Sequence, residues 1–288
     1  MPNIKESGSI ENLEKRNSLS RDRFNKFCLV KLILNPFIPF INKQFFKKTI
    51  IAVGIIFSLL YLTSMANAGV PEGPTIDSIT NETREPLDGT LINTSGGSIT
   101  TMVLNTTAQN TKWKAFVGNV SGKLVLAGAD NYAIYDWTKS SIAGNVYATR
   151  KAETVSWNRI SCANLTHIRN EEIALNHTSN PDDNISATFN TKDHDEFYVA
   201  TKKINQNSCY SIMTNVMGQK QSGTRYFQEI LLYDGLHSND GYIVYATKLE
   251  EDVVGYNNKS YDFQMIVPEV ALSSWTSSTG YYFYVEII

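Results

Sequence analysis

From Trp113 to the C-terminus the chain repeats one pattern: short runs of β-branched and aromatic residues, each closed by turn-forming residues. The runs are Lys112–Val117, Lys123–Ala127, Tyr132–Trp137, Asn145–Arg150, Glu196–Thr201, Tyr226–Tyr233, Tyr242–Lys248, Tyr261–Val267 and Tyr281–Ile287. Gly118-Asn119, Asp130-Asn131, Asp234-Gly235 and Asn257-Asn258 separate several of them. Residues 69–288 hold 55 Val/Ile/Thr and 24 aromatics against 26 Ala/Leu. Such side chains suit a pleated surface. Many short strands at this spacing predict a mainly β domain, an antiparallel sandwich or barrel-like sheet. One interval reads as helical: Asn164 or Thr166 caps a helix running to Asn176, with Leu165, Ile168 and Leu175 on one face. A second short turn is expected from Asp182 to Phe189. Both lie between Cys162 and Cys209, which predicts a small helical insertion in the β domain. Asn145–Arg150 (NVYATR) echoes Ile243–Lys248 (IVYATK), as two similar strands of one sheet would.

What precedes this domain sets its compartment. Thr49 to Met65 is an uncharged, mostly apolar run of 17 residues, preceded by Lys47-Lys48 and followed by Ala66-Asn67-Ala68. A positive flank, an apolar stretch and a small-x-small site in that order read as a secretory signal, with Gly69 the first mature residue. The run also reaches the lower edge of a membrane-spanning helix, so an uncleaved anchor is the alternative. Either way residues 69–288 are expected outside the cytoplasm. The division is therefore a basic leader over 1–48, a signal peptide or anchor over 49–68, a Thr/Ser/Asn-rich stalk over 69–111 and a β-rich extracellular domain over 112–288. The apolar stretch Phe27 to Phe46 is interrupted by Lys31, Pro36, Pro39 and Lys43, and reads as an interfacial or disordered leader. Within the stalk, Gly96-Gly97 marks a turn and Ser98 to Leu104 reads as a marginal strand. The exported part holds 16 Lys/Arg and 24 Asp/Glu. A net charge of that sign repels phosphate backbones and disfavours nucleic acid as a partner.

Cysteine and asparagine usage agree with export. Cys28 lies in the leader, leaving Cys162 and Cys209 as the only two in the exported part. In an oxidising compartment such a pair is expected as a disulfide. Eight N-x-[ST] sequons occur, at Asn81, Asn93, Asn105, Asn119, Asn164, Asn176, Asn184 and Asn258, all after Ala68. They mark candidate N-glycosylation sites, and occupied ones must be exposed.

Chemistry-bearing motifs are sparse. The chain has no G-x-S-x-G, H-E-x-x-H, P-loop or Rossmann glycine pattern, so no enzyme class is indicated. The four histidines are His167, His177, His194 and His237. Asp193-His194-Asp195-Glu196 is the densest acidic cluster and a weak site for a divalent cation such as Ca²⁺, with a solvated loop face as the plainer reading. Asp182-Asp183 and Glu250-Glu251-Asp252 are weaker still, lacking the spacing of a dedicated loop. Trp113, Trp137, Trp157 and Trp275, with Tyr281, Tyr282 and Tyr284, suit either core packing or sugar stacking. Tyr281 and Phe283 should share one strand face and Tyr282 and Tyr284 the other, as in a central strand or one whose outer face meets a partner.

Seven segments together carry a resemblance. They are Trp113–Gly122 (WKAFVGNVSG), Tyr135–Trp137 (YDW), Asn145–Arg150, Ser156–Cys162 (SWNRISC), Leu231–Asp234 (LLYD), Tyr261–Glu269 (YDFQMIVPE) and Tyr281–Glu286 (YYFYVE). In these the chain resembles a family of uncharacterised exported archaeal cell-surface proteins. The resemblance implies a secreted or surface location and carries no catalytic residues. The expectation is thus an exported, glycosylated surface protein acting by binding or assembly. Its partners would be other surface proteins or copies of itself, and the membrane through residues 49–65 if that segment stays uncleaved. The stalk over 75–111 is β-prone chain that could pair with a neighbouring subunit's sheet edge. A pilin would be processed before the apolar run, after a basic residue followed by a small one, and Lys48-Thr49 fits that poorly. The alternative class is an extracellular solute- or carbohydrate-binding protein, or a hydrolase.

Overall fold

The structure, a computed structural model, describes residues 69–179, 181–235, 241–270 and 278–288. The expected leader, the apolar segment with its expected cleavage site, Cys28, His237 and Trp275 lie outside these residues. Among the described residues no helix is long and apolar enough to cross a membrane.

The domain is mainly β, and its named strands all pair antiparallel. A six-stranded sheet is its centre. Its order is β14 (Tyr282–Ile287), β4 (Gly144–Thr149), β10 (Ile243–Lys248), β9 (Gln228–Tyr233), β5 (Ser161–Cys162), with β8 (Ser211–Met213) also on β9. β5 and β8 share the outer edge of β9 end to end: β5 pairs with Leu232 and Tyr233, β8 with Gln228 to Ile230. The strand echo sits at the middle of this sheet. β4 and β10 are direct neighbours, with Tyr147 opposite Ala246 and Ala148 opposite Tyr245. Each large ring therefore faces a methyl group, and the two rings lie on opposite faces. That alternation of large and small is how facing layers interdigitate without voids.

Both faces of the sheet are covered. On one face Ala148, Leu231 and Tyr245 pack with Met265 and Val267 of β13 (Phe263–Pro268), and with Ile168, Ile185 and Phe189. β13 pairs with β1 (Trp113–Gly118) in a two-stranded ribbon over that face. Ile168 belongs to α1 (Leu165–Ala174) and Ile185 to α2 (Ile185–Thr188). On the other face Tyr147, Ile230, Leu232 and Val244 pack with Trp157, Ile160, Phe197, Val199 and Ile204. Phe197 and Val199 lie on β6 (Phe197–Val199), and Ile204 on its partner β7 (Lys202–Ile204). Double coverage explains why β9 is buried at every position, since a strand with two dry faces cannot alternate. Each fully buried large side chain contributes about 1.5–3 kcal/mol by leaving water.

A buried polar network ties these layers together. The Tyr147 hydroxyl donates to Glu286 Oε2 at 2.5 Å, and the Ala200 amide donates to Oε1 at 2.8 Å. Asn145 Nδ2 donates to the Tyr147 hydroxyl and the Tyr198 carbonyl. Burial pushes the Glu286 carboxyl up from its ordinary value. Ala200 takes φ 51 in the β6–β7 turn, and its amide bond to this carboxyl holds the turn to β14.

Several expectations shift. α1 begins after its Asn164 cap, and Ile168 and Leu175 are fully buried, but Leu165 is 59 % exposed. As the first residue of the helix it points past the core edge. Ser98 to Leu104 forms no strand: residues 73–112 have no regular pairing. β14 lies at the end of the sheet order, not its centre. Its aromatics still pack on both sides, Phe283 on Phe116 at 4.9 Å and Tyr284 on Trp157 at 5.2 Å, because the layers above and below extend over it. Beyond β14, Glu72 exchanges two backbone hydrogen bonds with Val285.

Candidate functional site

Two regions leave large apolar side chains in water. The first is a loop of the stalk. Asn81 Oδ1 accepts from Lys114 Nζ, and Arg84 donates to the Thr107 carbonyl at 3.1 Å. Asn110 and Lys112 both donate to the Asp183 carboxylate, and the Trp113 indole donates to the Asp183 carbonyl. These contacts fasten the base of the loop at the start of β1. Between Arg84 and Thr107 the chain runs out and back through a turn at Ser95–Ser98, where Gly97 has φ 79. Leu87 (82 %), Leu91 (88 %), Ile99 (99 %) and Val103 (96 %) are exposed along it. Thr, Ser, Asn and Gly dominate the stretch, so it holds too few apolar residues to form a core of its own.

The second region is the ribbon of β2 (Lys123–Ala127) and β3 (Ala133–Thr138), which begins five residues after β1 ends. Every residue in both strands is exposed. The register makes the ribbon two-faced: Leu124 lies opposite Trp137 and Leu126 opposite Tyr135, whereas Val125 lies opposite Asp136. One face therefore carries Leu124, Leu126, Tyr135 and Trp137, with the last two rings edge to face at 4.9 Å. The other face carries the Lys123–Asp136 ion pair at 2.5 Å together with the exposed Val125 and Ile134. The four apolar residues are 49–60 % exposed. An isolated two-stranded ribbon is marginal in water, and a hydrophobic sheet face is stable only when covered. At the root of the ribbon Lys139 donates to the Ile288 carbonyl, which places it beside the end of β14.

The acidic cluster is held in another way. His194 is fully buried. Its Nε2 accepts the Ser208 and Cys209 amides at 3.1 and 2.9 Å, and its Nδ1 bonds the Asp195 carbonyl at 2.8 Å. Both ring nitrogens are thus engaged by backbone in the neutral form, and burial holds its pKa below the ordinary value. Asp193 pairs with Arg225 at 2.7 Å and Glu196 with Lys203 at 2.8 Å. Asp195 meets Arg225 and Lys248, and its carboxyl is held low first by the Gln228 amide. Among the described residues no three His, Cys, Asp or Glu side chains gather as a metal site. Cys162 and Cys209 form a disulfide, 2.02 Å between sulfurs, directly beside His194.

The sequon asparagines Asn81, Asn93, Asn105, Asn119, Asn164, Asn176 and Asn258 are exposed, and Asn184 is half-buried. Two of them also have a structural role. Asn164 Oδ1 accepts the His167 amide and Asn184 Oδ1 the Ala187 amide, so each caps a helix. Trp113 and Trp157 pack into the core clusters, and only Trp137 of the described tryptophans stands on the surface.

A shallow cleft of about 380 Å³ opens at one end of the central sheet. Arg150 donates to both Glu171 oxygens at 2.7 Å, and His167 stacks on Tyr233 at 3.6 Å. Beneath it Lys151 and Asp234 form a buried ion pair. The charged groups pair with one another, the Tyr233 ring is buried beside His167, and Tyr242 is the exposed aromatic of the cleft lining. No family model, curated protein or solved structure matches this chain.

Proposed function

We propose that this chain is an exported cell-surface protein that works by assembly, in which the stalk loop of one copy completes a sheet of another. One observation carries this reading: the loop over 84–107 and the β2–β3 ribbon both hold large apolar side chains in water while the domain beside them is fully packed. Patches of this kind on a soluble chain mark interaction surfaces. The signal-like order at residues 47–68, the disulfide, the exposed sequons and the resemblance to exported archaeal surface proteins support the location. The acidic, glycosylated surface keeps the subunit soluble until it docks. Deleting residues 75–111 from the full-length chain should abolish polymers seen by electron microscopy of cell surfaces, with the domain's melting temperature retained. Polymers that persist would refute the reading. The mature N-terminus tests export itself: Gly69 is expected.

A second reading, a solute-binding protein, is favoured by the cleft at Arg150, His167 and Tyr242, where a planar or sugar-like ligand could stack on the exposed Tyr242 ring. Calorimetric titration with mono- and oligosaccharides, compared between the parent and Tyr242→Ala, would reveal it.

A further inference from the structure

We propose that the acceptor for the stalk loop is the β2–β3 ribbon of a second copy, so that copies join head to tail. This rests on the assembly reading above and names the surface it uses. Three observations point to it.

The first is area. Four half-exposed Leu, Tyr and Trp side chains leave roughly 400 Å² of apolar ribbon surface in water. Two ribbons laid face to face would bury roughly 800 Å² in total, the size of a crystal contact and short of the ~1,200 Å² of a specific interface. A loop that adds a strand brings main-chain hydrogen bonds along an open edge as well as side chains, which supplies what the faces alone lack.

The second is charge. Residues 89–111 carry no charged side chain, and neither do the four apolar positions of the ribbon. Docking one on the other buries no unpaired charge, whose desolvation would oppose association. The exported part, with its excess of acid over base, is repelled by anionic lipid, so a membrane surface suits the ribbon less well.

The third is placement. The loop's base is fastened at the start of β1, through Lys112, Trp113 and Lys114. The ribbon departs after Gly118, at the other end of β1. Six residues of strand separate donor from acceptor by roughly 20 Å. Donor and acceptor at opposite ends of one element make a heterologous contact, which builds a ring or an open filament unless two copies exchange loops reciprocally. Within the loop, Ser98 to Leu104 is the leg that fits as the added strand: Ile99, Thr101 and Val103 alternate on one side, and sequons Asn93 and Asn105 fall outside it.

The test uses two tagged full-length copies, both Cys28→Ser, co-expressed and exported. One carries Thr100→Cys and the other Val125→Cys, two positions on the face of the joined strands opposite Ile99, Val103 and the ribbon's Leu and Trp side chains. A disulfide-linked pair between the two tags is expected, and adding Trp137→Glu to the ribbon copy should abolish it with the melting temperature unchanged. If polymers form but no linkage between the tags appears, the ribbon is not the acceptor, although assembly through residues 75–111 still holds. Linkage confined to two Val125→Cys copies would mean ribbon-to-ribbon pairing and overturn the proposal. So would monomers that co-sediment with phosphatidylcholine vesicles and lose that binding on Trp137→Glu. A parent chain that forms no polymers at all would defeat the assembly reading and this inference together.

Discussion

The central sheet and the β2–β3 ribbon are made of the same kinds of residue and meet opposite fates. β9 reads QEILLY and β3 reads AIYDWT, both rich in branched and aromatic side chains. β9 is dry on both sides, and β3 is wet on both. The difference lies in what the rest of the chain provides. The Cys162–Cys209 segment and β13 cover the central sheet, whereas no described segment of the chain covers the ribbon. A strand's composition thus sets that it pairs, and its neighbours set whether pairing is enough.

That contrast can be broken first at the sheet centre. Tyr245→Ala removes a fully buried ring and should cost about 3–5 kcal/mol, read as a lower denaturant midpoint. A loss under about 1 kcal/mol would mean the sheet is not the stabilising unit. Next is the cross-link: Cys162→Ser with Cys209→Ser should cost about 2–4 kcal/mol, measured the same way against the oxidised parent. Neither change should alter the ribbon.

Two buried titratable groups then give opposite slopes with pH. His194 stays neutral in the fold with its pKa lowered. Its contribution is fully present above the ordinary histidine value of about 6.5 and is lost as pH falls below it, because only the unfolded chain then takes the proton. His194→Gln should flatten that acid limb of the melting profile. Glu229 is the reverse case. It is fully buried, Oε2 accepts the Ile266 amide, and desolvation raises its pKa strongly. The fold keeps its proton while the unfolded chain loses it above about 4.5, so stability declines as pH rises from there. Glu229→Gln should raise the melting temperature at pH 7 and leave it nearly unchanged at pH 4. The smallest effect belongs to the ribbon: Trp137→Ala should shift stability by no more than about 0.5 kcal/mol, since a surface side chain loses little on truncation. A larger cost would show the ribbon packed on its own domain and dissolve the contrast.

The long strands were legible because period and punctuation agreed. Lys123–Ala127 matches β2 at both ends, and the runs at 145–150 and 242–248 miss β4 and β10 by no more than one residue at either end. The strand echo was visible too, but not that its halves are partners, because register is a tertiary property. Short strands such as β5, β8, β11 (Val253–Val254) and β12 (Ser260–Tyr261) leave no periodic trace. The stretch Ser98 to Leu104 has strand-like residues and no strand, since propensity without a partner is too weak to hold one. At the acidic cluster the residue types suggested ligands. Buried backbone amides claim the histidine, and lysine or arginine claims each carboxylate, none of which spacing alone reveals. The ribbon's exposed face was hidden for the same reason: a pattern of alternate apolar residues predicts burial and does not say by whom.

The bond pair between Glu72 and Val285 has a mechanical consequence. A pull on the chain ahead of Glu72 meets the domain at β14, the outermost member of the sheet. Those two bonds are fewer than the six paired positions that join β14 to β4, so tension would part them first and pass along residues 73–112 to the start of β1, leaving the sheet intact.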